Sequence, residues 1–202
     1  MSAVKIDVTD TLSVPLQRLI DALEGQGRVE LHAAMGHAVQ FLTTEHLKAI
    51  ATTRHATAER LGGTPTGYWA DAAEKVGAPE ALAAFETVAI LSIPHPGVAR
   101  AFHDVTIVPV NASALAIPIH AIAYGHRAAE LWDALTLFIP KGSNIIAMHD
   151  AGGGILPLFA LCRSITQEQD RTLLPSDEAW FEAAKDAAEE YLAEATQAGG
   201  RL

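Results

Sequence analysis

Apolar positions along the chain change period twice, first helical, then strand-like, then helical again. Near the N-terminus "VKIDV" alternates Val4, Ile6 and Val8 and predicts a short strand. "SVPLQRLIDALEG" carries Leu16, Leu19, Ile20 and Leu23 at helical spacing. Ser13 caps this helix, Pro15 fits its first turn and Gly25 stops it. From Arg28 to about Leu61 the pattern predicts one long helix, with Met35, Val39, Leu42, Leu47 and Ile50 as its apolar stripe and Gly62-Gly63 as its stop. At about 30 residues it would run about 45 Å, enough to cross a whole sheet or reach a neighbouring subunit. A loop through Gly62, Thr64, Pro65 and Gly67 follows, and Tyr68-Trp69 open a short helix that ends near Gly77.

The period then shortens. "ETVAILSI", "HDVTIVPV", "ALAIPI", "ALTLFIP", "NIIAMHD" and "ILPLFALCRSI" read as short strands. Turn residues separate them: "PHPG", "KGSN" and "DAGGG". Short strands with close turns and no intervening helices predict antiparallel pairing. Pro109 and Pro118 interrupt the stretch "VTIVPVNASALAIPIHA", so they belong at edges or bulges, where a ladder donor is dispensable. Pro175 and Ser176 open a final helix, Asp177 and Glu178 favour its positive end, and Gly199-Gly200 close it. Its inner stripe is Trp180, Ala184, Ala187, Tyr191 and Ala195. The expected class is α+β: a long N-terminal helix, an antiparallel β-sheet of short strands and a C-terminal helix. The expected organisation is a single domain over 1–202, with a strand/helix arm over 1–26, a helical part over 27–77, a β-rich part over 86–174 and the last helix over 176–197.

Composition narrows the function classes. An apolar fraction of 50% and a charged fraction of 19% are those of a globular chain. With 24 acidic against 14 basic residues the formal charge is −10, which repels phosphate backbones and argues against sequence-specific nucleic-acid binding. The single cysteine, Cys162, excludes an internal disulfide and Cys-rich zinc sites and reads as a buried small hydrophobe. The N-terminus lacks a signal-peptide pattern, and no apolar run approaches the roughly 20 residues of a membrane span, so a soluble, cytoplasmically made protein is expected.

Chemistry is sparse. Nine histidines invite a metal hypothesis, but His32 and His37 lie about 140° apart on a helix, and His46 and His55 face opposite sides. His120, His126 and His149 fall in loop-edge sequence, and there is no His-Glu-x-x-His pattern. "LGGTPTG" and "DAGGGI" match neither a dinucleotide-binding nor a phosphate-loop pattern; they read as a helix stop and a hairpin tip. No serine lies in a Gly-x-Ser-x-Gly elbow.

The stretch "VTIVPVNASALAIPIHA" resembles a motif of tailed-phage virion-morphogenesis, neck and tail-completion proteins. Its pattern maps onto Ile107, Pro109, Ala112, Ala114, Leu115, Ile117 and Pro118. "LGGTPTGYWADAA" is similar to the family's loop after its long helix, and "PLFALCRSITQEQDRTLLPSDE" to its final strand and exit. The three segments occur in the family's order and extend over about residues 28 to 195. "KVGAPEALAAFETVAI" departs from the family pattern, which has a polar hairpin there. The resemblance implies a virion structural subunit of the head–tail junction, without catalysis or cofactor. It implies a homo-oligomeric ring touching other virion proteins (portal or adaptor, tail tube), through which DNA passes, with no membrane association. Thr64, Pro65, Tyr68, Trp69, Pro109 and Pro118 are the expected subunit-interface residues. A phage assembly accessory or minor tail protein is the first alternative, a small metal-dependent hydrolase using the histidines the second. Leu115→Asp, which places a charge on the sheet's buried face, is expected to abolish soluble expression, checked as the soluble fraction against wild type.

Overall fold

A computed structural model describes residues 13–54, 56–78, 80–81 and 89–197. The order is α1 (Ser13–Leu23), α2 (Gly25–Thr53), α3 (Ala56–Leu61), α4 (Tyr68–Glu74), β1 (Glu80–Ala81), β2 (Ala89–Ile90) and α5 (Pro96–Phe102). Then come β3 (Val105–Ile107), β4 (Leu115–Pro118), a 3-10 turn (Ala121–Ala123), α6 (Ala128–Ala134), β5 (Ile145–His149), β6 (Ile155–Cys162), β7 (Ile165–Gln167) and α7 (Asp177–Gln197). All pairings are antiparallel, and the class is α+β, as the periodicity implied. The expected strand at Val4–Val8 and the helix stop at Gly199-Gly200 lie outside the described residues. No helix among the described residues is long and apolar enough to cross a membrane.

Contacts sort the chain into two compact units built from discontinuous segments. The first unit takes residues 1–44, 76–94 and 175–202. In it α1 packs along α7. Ser176 caps α7, its Oγ accepting from the Ala179 N–H at 3.2 Å, with Asp177 and Glu178 in the first turn. The expected inner stripe of α7 is half-buried throughout. Its anchor is Trp180, whose indole N–H donates to Thr43 Oγ1 at 3.0 Å. Thr43 is fully buried and passes its own proton to the Val39 carbonyl at 2.7 Å, so both polar groups are satisfied in an apolar setting.

The second unit takes residues 45–75 and 95–174. Its three-stranded sheet runs β4-β6-β5, and the core beneath it gathers Ala123, Leu137, Ile146, Leu158 and Phe159. Leu158 and Phe159 are consecutive and both wholly buried, and both belong to this one core cluster. β6 carries Pro157 even though it is the central strand. The proline sits opposite Ala147, where the β5–β6 register shifts, and Leu158 is the extra residue of the bulge. Pro118 lies on the edge strand β4. Ile119 N donates to Leu158 O at 2.9 Å, so alternate β4 residues, 115, 117 and 119, direct their N–H groups to β6. The donor that Pro118 lacks therefore belongs to the outer edge, and no ladder bond is lost.

Several sequence expectations need correction. The long helix breaks at Arg54: the hydroxyls of Thr52 and Thr53 both donate to the Ala49 carbonyl at 2.8 Å, competing with the ladder at its last turn. "PHPG" opens a helix, because Pro96 at the first position of α5 is preset for helical φ. α5, the 3-10 turn and α6 all fall among the strands, so the 86–174 region is not purely strands and turns. "ALTLFIP" supplies the end of α6 and one isolated bridge, Phe138 to Ala147, in place of a strand. Of "ETVAILSI", the described part contributes only the two-residue β2. Cys162 is half-buried and unpaired, since it ends β6 beside the edge strand. Thr43→Val keeps shape but orphans the Trp180 indole, and is expected to lower unfolding free energy by about 1–2 kcal/mol at unchanged m-value in a urea titration.

Candidate functional site

The second unit contains a cleft of about 500 Å³ where the end of α2, α3, the loop before α4 and the 168–174 loop meet. Local chemistry sets the loop. α3 ends in a Schellman motif: Gly62 takes φ 68°, its N–H reaches Glu59 O at 3.1 Å, and the Gly63 N–H reaches Ala58 O at 2.9 Å. The chain then turns out through Thr64 and Pro65 and re-enters as α4 at Tyr68.

One wall is polar. Asp170 organises its own turn, accepting from the Thr172 N–H at 3.0 Å and the Thr172 hydroxyl at 2.7 Å. The Arg54 guanidinium spans this turn, donating to the Asp170 carboxylate and to both the hydroxyl and the carbonyl of Thr172. His46, two turns earlier on α2, contacts the same Thr172 carbonyl at 3.1 Å. A further bond, Asp170 N to Ala101 O at 2.8 Å, ties the turn to α5. Thr172's hydroxyl first, then its N–H and the Arg54 guanidinium hold the Asp170 carboxyl below its ordinary value. The one ion pair of the wall, Arg54–Asp170, is thus internally neutralised.

The other wall is aromatic. Tyr68 meets Trp69 edge-on with ring centroids 5.1 Å apart, and Tyr124 after the 3-10 turn adds a third ring. Tyr68 stands on the start of α5. A Cβ at position 97 would lie 1.6 Å from the Tyr68 oxygen, so glycine there is what admits the ring. Beneath Tyr68 lies His95, 4% exposed, its ring edge-on at 4.7 Å. His95 Nε2 is 3.4 Å from the Asp71 carboxylate, while its Nδ1 has no hydrogen-bond partner among the described residues. Packing under Tyr68, more than a complete polar set, holds this histidine.

Of the interface residues read from the sequence, Pro65, Tyr68 and Trp69 line this cleft together. Thr64 is exposed on the same loop without lining it. Pro109 lies just past β3 and Pro118 in β4, elsewhere in the same unit. Sequence reasoning missed Arg54, Asp170 and Thr172, which meet across more than a hundred residues and carry no local motif. It also missed Tyr124, although the "YGH" that follows a strand candidate marked a turn there.

Beyond His46 and His95, three further histidines make structural contacts. His32 Nδ1 lies 2.8 Å from the Arg28 carbonyl. His120 accepts from the Ile122 N–H at 3.2 Å at the head of the 3-10 turn. His149 stacks on Phe138 at 4.7 Å. Among the described residues no group of three or more His, Cys, Asp or Glu side chains is placed to share a metal ion.

No protein-family model matches the chain, and no curated protein or solved structure matches it either.

The Arg54–Asp170–Thr172 turn gives a pH-dependent expectation. The folded pKa of Asp170 lies below its unfolded value, so its stabilisation is complete above the ordinary carboxylate range and is lost as pH falls through the lowered value. Asp170→Asn is expected to cost about 1 kcal/mol at neutral pH, because the partly exposed pair is screened. The variant should also show a shallower acid-side fall in urea midpoint than wild type. An equal loss at every pH would mean that the charge contributes nothing.

Proposed function

We propose that this chain is a non-enzymatic structural subunit of a tailed-phage virion, at the neck or tail-completion position of the head–tail junction, assembling as a ring. The carrying observation is a set of apolar side chains left in water around the short strands of the second unit. Val108 is 55% exposed, Val110 90%, Ile139 52% and Ile155 55%. Single exposed apolar residues are ordinary, but Val108 and Val110 stand two residues apart on one loop, and such a pair of exposed β-branched side chains suits burial by a neighbour. The sequence resemblance of "VTIVPVNASALAIPIHA" supports the same reading, since the most exposed of these valines lies in it.

Strand edges contribute less support than the apolar loops. Pro118 blunts the outer edge of β4, and Phe138 bridges the outer edge of β5 within the chain. The two-stranded β3–β7 ribbon is different: among the described residues neither strand has a second partner. Ribbons of this size are marginal alone and gain from a further strand or a covering surface.

The partners under this reading are further copies of the chain and neighbouring virion proteins of the portal, adaptor or tail-tube kind. The formal charge of −10 is compatible with DNA passing through without adhering. Mass spectrometry of purified particles, paired with sedimentation of the purified chain, tests the proposal. The expected result is stoichiometric presence in particles and concentration-dependent association. Presence during assembly but absence from finished particles would favour an accessory role, and stoichiometric zinc, manganese or iron in chelator-free protein would favour the hydrolase alternative.

A further inference from the structure

We infer that two copies of the chain join head to tail, the Val108-Pro109-Val110 loop of one entering the Arg54–Tyr68–Tyr124 cleft of the next. The contact rests on the subunit reading above and names the surfaces it uses.

The loop is built to leave its own chain. It departs from β3 after Ile107 and returns at Leu115, and its tip, Val110, is 90% exposed. None of residues 108–110 lines the cleft of the same chain. From Val105 to Ile119 the sequence has no ionisable side chain, although the chain as a whole carries a formal charge of −10. Two copies repel one another at long range, so a contact between them forms most readily where neither side adds charge.

The cleft is complementary to such a segment. Its one ion pair, Arg54–Asp170, is closed on itself and on Thr172, leaving no net charge to be met. Tyr68, Trp69 and Tyr124, with Pro65, supply an aromatic and apolar lining. Proline fixes its own φ and restricts the residue before it, so Val108-Pro109 is held near an extended conformation before binding, and the chain bends at Val110 to present the tip. Extended proline segments dock on tyrosine- and tryptophan-lined grooves because little chain entropy remains to be lost. The volume, about 500 Å³, lies in the range of pockets that enclose a few side chains. Loop and cleft are different surfaces of one compact unit, so the contact is heterologous, and repetition generates a ring or an open filament.

Complementary blocking variants test this. Val110→Asp charges the loop, and Thr57→Asp charges the cleft from an exposed position on its lining. Both positions are exposed, and circular dichroism checks that both variants fold. In sedimentation velocity, wild type should self-associate, and each variant alone should do so about tenfold or more weakly. An equimolar mixture should form a dimer and stop there, because one intact loop meets one intact cleft. Association of either variant at wild-type strength, a mixture that stays monomeric, or a wild-type chain monomeric at millimolar concentration each overturns the contact. Wild-type-like association of Val110→Asp, with the chain present in purified particles, would remove this contact and leave the subunit reading standing. Absence from particles with the dimer intact would do the reverse.

Discussion

Two consecutive residues with no exposed surface, Leu158 and Phe159, fix the second unit. Leu158 is the extra residue of the β5–β6 bulge, where the alternation of faces along β6 is interrupted, and both side chains join one core cluster. That cluster takes material from outside the sheet: the 3-10 turn at Ala123 and the segment that follows α6 at Leu137, with Ala128 and Leu131 of α6 packed against it. The elements between the strands therefore help to close the core of the sheet.

The hydrogen-bond ladder explains the prolines. A central strand cannot give up a ladder donor, yet β6 contains Pro157. Ala147, opposite the proline at the register shift, spends its N–H and its carbonyl on Phe138, and β4 pairs with β6 only as far as Phe159, so neither neighbouring strand calls on a donor at residue 157. Pro118 needs no such device, because its absent donor falls on the outer edge of β4. There it works against uncontrolled strand addition. The segment that looked from its sequence like a gripping edge is therefore blunted along the edge itself, while the apolar tip before it, Val108 to Val110, stays in water.

The cleft depends on a different kind of agreement. Arg54 lies where two threonines interrupt α2, and its guanidinium recognises a turn that Asp170 and Thr172 have already closed between themselves. A preformed turn lowers the entropy lost in each charged hydrogen bond. Tyr68 reaches its place only because residue 97 has no side chain. Polar and aromatic walls thus arise from separate local choices that meet in one place. Such a neutral, ring-lined surface suits an uncharged proline-containing segment better than an ion or a charged cofactor.

Much of this was legible in the sequence. Helical spacing located α1, most of α2 and the inner stripe of α7, since burial on one helical face demands that period. Apolar runs bounded by glycine and proline located β4, β5 and β6, and the loop from Gly62 to Gly67 was placed with Tyr68 and Trp69 at its exit. The α+β class followed from these. Tertiary structure alone decided the rest. "PHPG" and "ALTLFIP" carry turn and strand propensity, but α5 forms under Tyr68 and beside the Asp170 turn, and α6 packs on the core of the sheet, because packing outweighs local preference over a few residues. The division of α2 between two units, and the meeting of Arg54 with Asp170, depend on contacts between residues far apart in the chain. Hydrophobic period encodes which face of an element is buried; it does not encode what buries it.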